Sequence, residues 1–216
     1  MKNIPRIYID EPLATGKQIK LSANALHYLK KVMRTDKFLA FNGGQEYHAN
    51  LSAVGHATGR PDPSNNLTLA FAPIRQARLE EMLSMATQLG VAKLVPVVTE
   101  RTNEHRTNWN RIKKIIIESS EQSGRNNVPE LTPLQKFNEF IKAKNLFFAD
   151  ERLVHNDVPP TTISKADIIL ISPEGGFSDK EFAALDKVGA TGISLGKTIL
   201  RSETAAVVAV AKLIEQ

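Results

Sequence analysis

Two late segments carry residues whose types and spacing could do chemistry. The first is Leu170-Ile171-Ser172-Pro173-Glu174-Gly175-Gly176-Phe177-Ser178. An apolar, β-rich run ends there in Pro-Glu-Gly-Gly and then enters a helix start. Paired glycines let a ligand approach the backbone with no Cβ in the way, and Glu174 supplies an acid beside them. The same glycines equally fit a tight strand-to-helix turn that needs their φ angles. The second segment is Ser194-Leu195-Gly196-Lys197-Thr198-Ile199-Leu200-Arg201-Ser202-Glu203-Thr204-Ala205. Ile199 and Leu200 are apolar where a loop is normally polar, so they are either buried or cover something flat and apolar. Arg201 and Glu203 fall at a helix N-terminus, where an arginine opposes the helix dipole. That favours a functional cause for Arg201 over a surface Arg–Glu pair.

Other chemistries are excluded by what is missing. With Cys at 0, disulfides, thiolate nucleophiles and cysteine-ligated metals are ruled out. There is no G-x-G-x-x-G and no G-x-x-x-x-G-K-[ST], so neither a standard dinucleotide fold nor a P-loop is supported. The histidines (His27, His48, His56, His105, His155) show no metal-ligand spacing, and no metal site is expected.

The elements that must position these segments fall into two patterns. Up to about residue 72, short strands and turns dominate: Arg6–Ile9, then Phe38–Phe41 and Tyr47–Val54 around Asn42-Gly43-Gly44, a hairpin signal. Leu67–Phe71 reads as a further strand of this part. Ser22 caps an expected helix over 23–33 with Leu26, Leu29, Val32 and Met33 on one apolar face. From Pro73 onward helix and strand alternate. Helices are expected over Ala77–Leu89, from Asn108 to Gln122, from the Ser178-Asp179-Lys180-Glu181 capping box to Lys187, and over Glu203–Ile214. Strands are expected at Leu94–Thr99, Asn145–Phe148, Ile168–Ile171 and Gly192–Leu195. The expected domains are therefore 1–72, mainly β, and 73–216, an α/β domain with a parallel sheet covered on both faces. Such sheets bind ligands outside the carboxyl ends of their strands.

Hydrophobic residues at 42% and charged residues at 24% describe an ordinary soluble globular chain. The formal charge of +5 sits mostly in residues 1–72, with nine lysines and arginines against five acids, which points that part toward a polyanion. The N-terminus lacks a signal-peptide core. The apolar run Ala205–Ile214 is far below the roughly 20 residues that span a bilayer. A cytoplasmic protein with no membrane partner is the expectation.

Several motifs, in one order along nearly the whole chain, resemble the ribosomal RNA small subunit methyltransferase E family. They are Ile4-Pro5-Arg6-Ile7-Tyr8, Glu121-Gln122-Ser123-Gly124-Arg125-Asn126, Val128-Pro129-Glu130, Pro173–Ser178, and Leu195-Gly196 followed by Ile199–Ala205. The resemblance implies a PUA-like RNA-binding β-barrel over 1–72 and a SPOUT methyltransferase domain over 73–216, with a C-terminal trefoil knot. It also implies a homodimer that moves methyl from S-adenosylmethionine to N3 of one uridine in 16S ribosomal RNA of the small (30S) subunit. The implied cofactor site comprises Ala149, Ile171, Ser172, Pro173, Glu174, Gly175, Gly176, Leu195, Gly196, Ile199, Leu200 and Thr204. Methylating a weakly acidic imide calls for a cation and a base; Arg201 is the expected cation, and Glu174 or Glu203 either takes the proton or orients Arg201. Arg6, Lys30, Lys31, Arg34 and Arg125 are expected to meet RNA. The chain departs from the family at Ser84, Met85 and Gln88, where many members carry Gln, Lys and Glu, and at Lys197, where many carry Pro or Arg. A non-catalytic ribosome assembly factor and a ribose 2′-O-methyltransferase are the rival readings.

Overall fold

Alternating apolar residues in Lys37–Asn42 and Gln45–Asn50 bury one face of a hairpin, and Gly43 and Gly44 supply its turn with φ of 58° and 78°. The computed structural model describes residues 4–103, 107–154 and 168–214. The chain divides into two compact units, one made of residues up to Ser64 together with Ile117–Val128, the other of Asn65–Ile116 and Pro129 onward.

In the first unit β1 (Arg6–Tyr8) runs parallel to β2 (Lys37–Asn42). Antiparallel β3 (Gln45–Asn50) and β4 (Val54–Ala57) complete a four-stranded sheet. Ile7, Ile9, Leu29, Phe38, Ala40 and Ala49 form its core. Ser22 caps α1 (Ala23–His27) through Ala25 N–H, as expected, but the helix then widens into a π-type turn over Tyr28–Met33. The expected apolar face fails as a result. Leu29 is buried, while Leu26 and Val32 are 37% and 61% exposed, because a π turn rotates residues three and four apart off a common face.

The second unit is built on parallel strands. In chain order it holds β5 (Thr68–Phe71), α2 (Gln76–Gln88), β6 (Lys93–Val98), the first part of α3 (Trp109–Ser123), and the short β7 (Glu130–Leu131) and β8 (Gln135–Lys136). Then come α4 (Phe137–Phe140), β9 (Leu146–Ala149), β10 (Ile168–Ile171), α5 (Asp179–Lys187), β11 (Thr191–Ile193) and α6 (Ser202–Ile214). The strand order is β11-β9-β10-β5-β6-β7, with β8 also on β6, and every pairing is parallel.

The strand expected at Leu67–Phe71 belongs here, not with the N-terminal β part: it lies in the middle of this sheet, between β10 and β6. Leu69, Ala70 and Phe71 are all buried, the mark of a parallel strand covered on both faces. On one face Ala70, Val95, Phe148 and Leu170 pack with Phe137, Phe177, Phe182 and Leu185. On the other, α6 packs against α2, β5 and β10.

Candidate active site

Strand order decides where a ligand can enter. From β9 the chain continues to β10 on one side and later returns as β11 on the other, and a crevice opens at such a reversal beyond the carboxyl ends. A cleft lies there. Ala149, Asp150, Glu151 and Val154 line it from β9, Ser172 from β10, and Ile193, Leu195, Thr198, Ile199 and Leu200 from β11; Ala205 of α6 joins them.

Each wall has a local cause. Asp150 is buried (5% exposed), caps the following 3₁₀ turn through Arg152 N–H, and accepts from Arg152 Nε and Nη2 at 2.9 and 2.7 Å. Arg152 also donates to both oxygens of Asp186 and lies 4.3 Å over the Phe182 ring. Hydrogen bonds to these two carboxylates raise the Arg152 pKa and lower that of Asp186. A Cβ on Gly192 would sit 2.6 Å from Asp150 Oδ2, so only glycine lets β11 pass this close. After β10, Gly176 takes a φ of 71°, and a Cβ there would lie 2.6 Å from Glu151 Oε1. Arg101 Nη1 donates to Gly175 O at 2.8 Å. The capping box forms as expected: Ser178 Oγ accepts from Glu181 N–H, and Glu181 Oε2 accepts from Ser178 N–H at 2.9 Å. Buried Glu181 also accepts from Glu100 N–H at 2.7 Å, and Ser178 Oγ donates to Glu100 Oε2, which anchors α5 to the end of β6.

The expected cofactor residues divide. Ala149, Ser172, Leu195, Ile199 and Leu200 line the cleft, and Ile199 is 72% exposed, an apolar side chain that its own chain leaves uncovered. Ile171 and Pro173 are buried and do not line the cleft. Gly176 is buried too, whereas Glu174, Gly175 and Gly196 are exposed. Thr204 faces away from the cleft and its neighbour Ala205 takes the position, since successive helical residues point about 100° apart. Asp150, Thr198 and Ala205 lay within the quoted segments or loops without being singled out, whereas Glu151, Val154 and Ile193 were missed; the acid pair closing an apolar strand was the available signal.

The ionic residues scatter. Arg201 is exposed at the start of α6, its carbonyl accepting from Ala205 N–H at 2.7 Å. Glu174 is exposed and its Oε1 accepts from Arg75 N–H at 3.4 Å. Glu203 does not orient Arg201: its Oε1 lies 3.7 Å from Arg78 Nε on α2. Of the departures, Ser84 accepts from Gln88 within α2, and Lys197 is exposed.

Two expected RNA contacts are corrected. Arg6 spends its guanidinium inside the first unit, on Glu46 at 2.7 Å and on the carbonyls of Ser120, Glu121 and Arg125, with Asn126 Oδ1 at 2.9 Å. A cation on the last carbonyls of a helix complements its dipole. Arg125 is 1% exposed and donates from Nε to Asn127 O; burial lowers its pKa to about 10. Lys30, Lys31 and Arg34 remain exposed. No described helix is long and apolar enough to cross a membrane, and no described group of three or more histidines and carboxylates is placed to hold a metal ion. His105 and His155 lie outside the described residues.

A family model described as an RNA methyltransferase domain matches residues 60–214. The chain is 34% identical to ribosomal RNA small subunit methyltransferase E of Rickettsia conorii, over 96% of this chain and 94% of the relative. The chain belongs to the ribosomal RNA small subunit methyltransferase E family. Another relative of that name, from Mesomycoplasma hyopneumoniae, is 32% identical and covers 73% of each chain. Within the methyltransferase E family, a solved structure from Neisseria gonorrhoeae bound to S-adenosyl methionine matches with a TM-score of 0.82 at 28% identity. That match covers 97% of this chain and 96% of the other.

Proposed function

We propose that this methyltransferase E family member transfers the methyl group of S-adenosylmethionine to N3 of one uridine in the 16S ribosomal RNA of the small subunit. The observation that carries the reading is the cleft beyond β9, β10 and β11, where Ile199 stands 72% exposed beside Leu195 and Leu200. Aliphatic side chains held open at a strand-end crevice fit a flat, apolar partner such as adenine, whose burial on both faces removes that surface from water. Backbone groups around Ser172 and Leu195 would hydrogen-bond the purine and ribose. The cofactor supplies an electrophilic methyl carried on a sulfonium.

The chain's own residues do the rest. The uridine imide is a weak acid, so its proton must leave while the adjacent carbonyls gather negative charge. Arg201, exposed at the rim of α6, is the cation for that charge. Glu174, exposed beyond β10, is the acid left to take the proton, because Glu203 is held by Arg78. Lys30, Lys31 and Arg34 of the first unit would grip phosphates. The reading carries with it a SPOUT fold whose three loops form a trefoil knot, a PUA-like β domain, a homodimer and a cytoplasmic setting.

The test is methyl transfer from labelled S-adenosylmethionine to unmodified small subunits, followed by nucleoside digestion and mass spectrometry. Labelled N3-methyluridine is expected. A label on ribose, or no label beside an active control enzyme, would sink the reading.

A further inference from the structure

Two ionisable side chains line the cleft among the described residues, and they are not equivalent. Asp150 is buried and its charge is matched by Arg152 at 2.7 Å. Glu151 follows it on the same turn, and among the described residues its carboxylate makes no hydrogen bond or ion pair. Its Oε1 lies 2.6 Å from where a Cβ on Gly176 would stand, so the carboxylate occupies space that the glycine leaves open. Around it the wall is aliphatic, from Ala149, Val154, Ile193, Leu195, Ile199 and Leu200, and the other polar side chains are the hydroxyls of Ser172 and Thr198.

We infer that Glu151 is a specificity-determining residue that makes the cleft prefer the sulfonium cation of S-adenosylmethionine to the neutral thioether of S-adenosylhomocysteine. The inference rests on the methyl-donor reading above. An ammonium group brings three N–H donors and is best met by several acceptors gathered around it, whereas among the described residues Glu151 is the one uncompensated charge in a mostly aliphatic wall. A sulfonium has no N–H and is satisfied by one opposite charge set among apolar surfaces, which this wall provides. Asp150 cannot serve, because Arg152 already cancels it. When the methyl leaves, the sulfonium charge goes with it and the attraction to Glu151 vanishes, so product is held less tightly than donor. Gly176 then has a second role beside its turn, since its missing Cβ makes room for the carboxylate.

The experiment is calorimetric titration of the full chain and of Glu151→Gln with S-adenosylmethionine and, separately, S-adenosylhomocysteine. Glu151 is solvent-accessible, so screening keeps the expected effect to about three- to tenfold. Glu151→Gln should weaken the donor by that factor, leave the product's affinity unchanged and bring the two affinities together. Equal weakening of both ligands would place the carboxylate on the ammonium they share and overturn the inference. Unchanged affinities for both would overturn it too. Failure of the unmodified chain to bind either ligand is a separate outcome, which removes the methyl-donor reading and the inference with it.

Discussion

Ile199 and Arg201 sit two residues apart and are exposed for different reasons. Ile199 is an apolar side chain 72% open to water, so its removal uncovers nothing that folding had buried. Ile199→Ala should change stability by no more than about 0.5 kcal/mol. It should weaken S-adenosylmethionine binding roughly tenfold, since a lost aliphatic contact on a bound purine is worth about 1–1.5 kcal/mol. Thermal melting and calorimetric titration of one sample check both halves. Arg201→Ala belongs to the other case. Its guanidinium has no partner to lose among the described residues and its carbonyl still starts α6, so fold and cofactor affinity should persist. Methyl transfer should fall by about 100-fold or more if the guanidinium meets the developing anion. Single-turnover transfer at saturating donor is the measurement, and an unchanged rate would end that role. Both residues were legible in the sequence because they break a local rule, apolar in a loop and cationic at a helix start. Arg6 and Arg125 obey no such rule. Both were expected to meet RNA and both are internal, Arg6 because it bonds carbonyls from Ser120 to Arg125, far away in sequence.

Caps and turns complete within a few residues formed as read, whereas the apolar face expected over 23–33 did not. The Ser178–Glu181 box and the Gly43-Gly44 turn are complete within four residues, and both form as the sequence implies. Ser178→Ala removes the N-cap acceptor of Glu181 N–H and the donor to Glu100, and should cost about 1–2 kcal/mol in denaturant unfolding. The end of α3 offers a test of sign. Burial raises the pKa of Glu121, Glu118 adds to the shift, and the hydrogen bond from Tyr8 N–H and the charge of Arg6 oppose it. The folded chain then holds this proton more tightly than the unfolded chain, so the stability it contributes is full below the ordinary carboxylate range. It is lost as pH rises through the raised value. Glu121→Gln keeps an oxygen for Tyr8 N–H and loses the titration. Its melting temperature relative to the unmodified chain should therefore climb from pH 4 to pH 7. A constant difference across that range would show that Glu121 titrates normally.

At the scale of the whole molecule, the boundary between units is where local reading ran out. A strand of Leu67–Phe71 type fits an antiparallel barrel or a parallel sheet equally well, and its partners β10 and β6 come from chain positions far downstream. Helical periodicity likewise runs unbroken along α3, so nothing in it announces that Ile117–Val128 packs with the N-terminal strands. The packing is intimate within that unit. Gly44 N–H donates to Asn126 O, Asn126 N–H donates to Asp62, Asn126 Nδ2 donates to Arg60 O, and Arg6 caps the carbonyls before them. Deleting residues 1–64 would therefore not release an intact second unit. It would strip Asn126 of its bonds to Gly44, Arg60 and Asp62 and the carbonyls of α3 of Arg6, and would open residues that are now 1% and 0% exposed. A chain beginning at Asn65 should express largely insoluble or melt well below the full protein, although β5 through α6 are all retained. A deletion that also replaces 117–128 with a short Gly/Ser linker should recover much of the solubility, because it removes the orphaned groups together with their partners. Equal solubility and melting of the two truncated chains would show that Ile117–Val128 stands without the N-terminal strands.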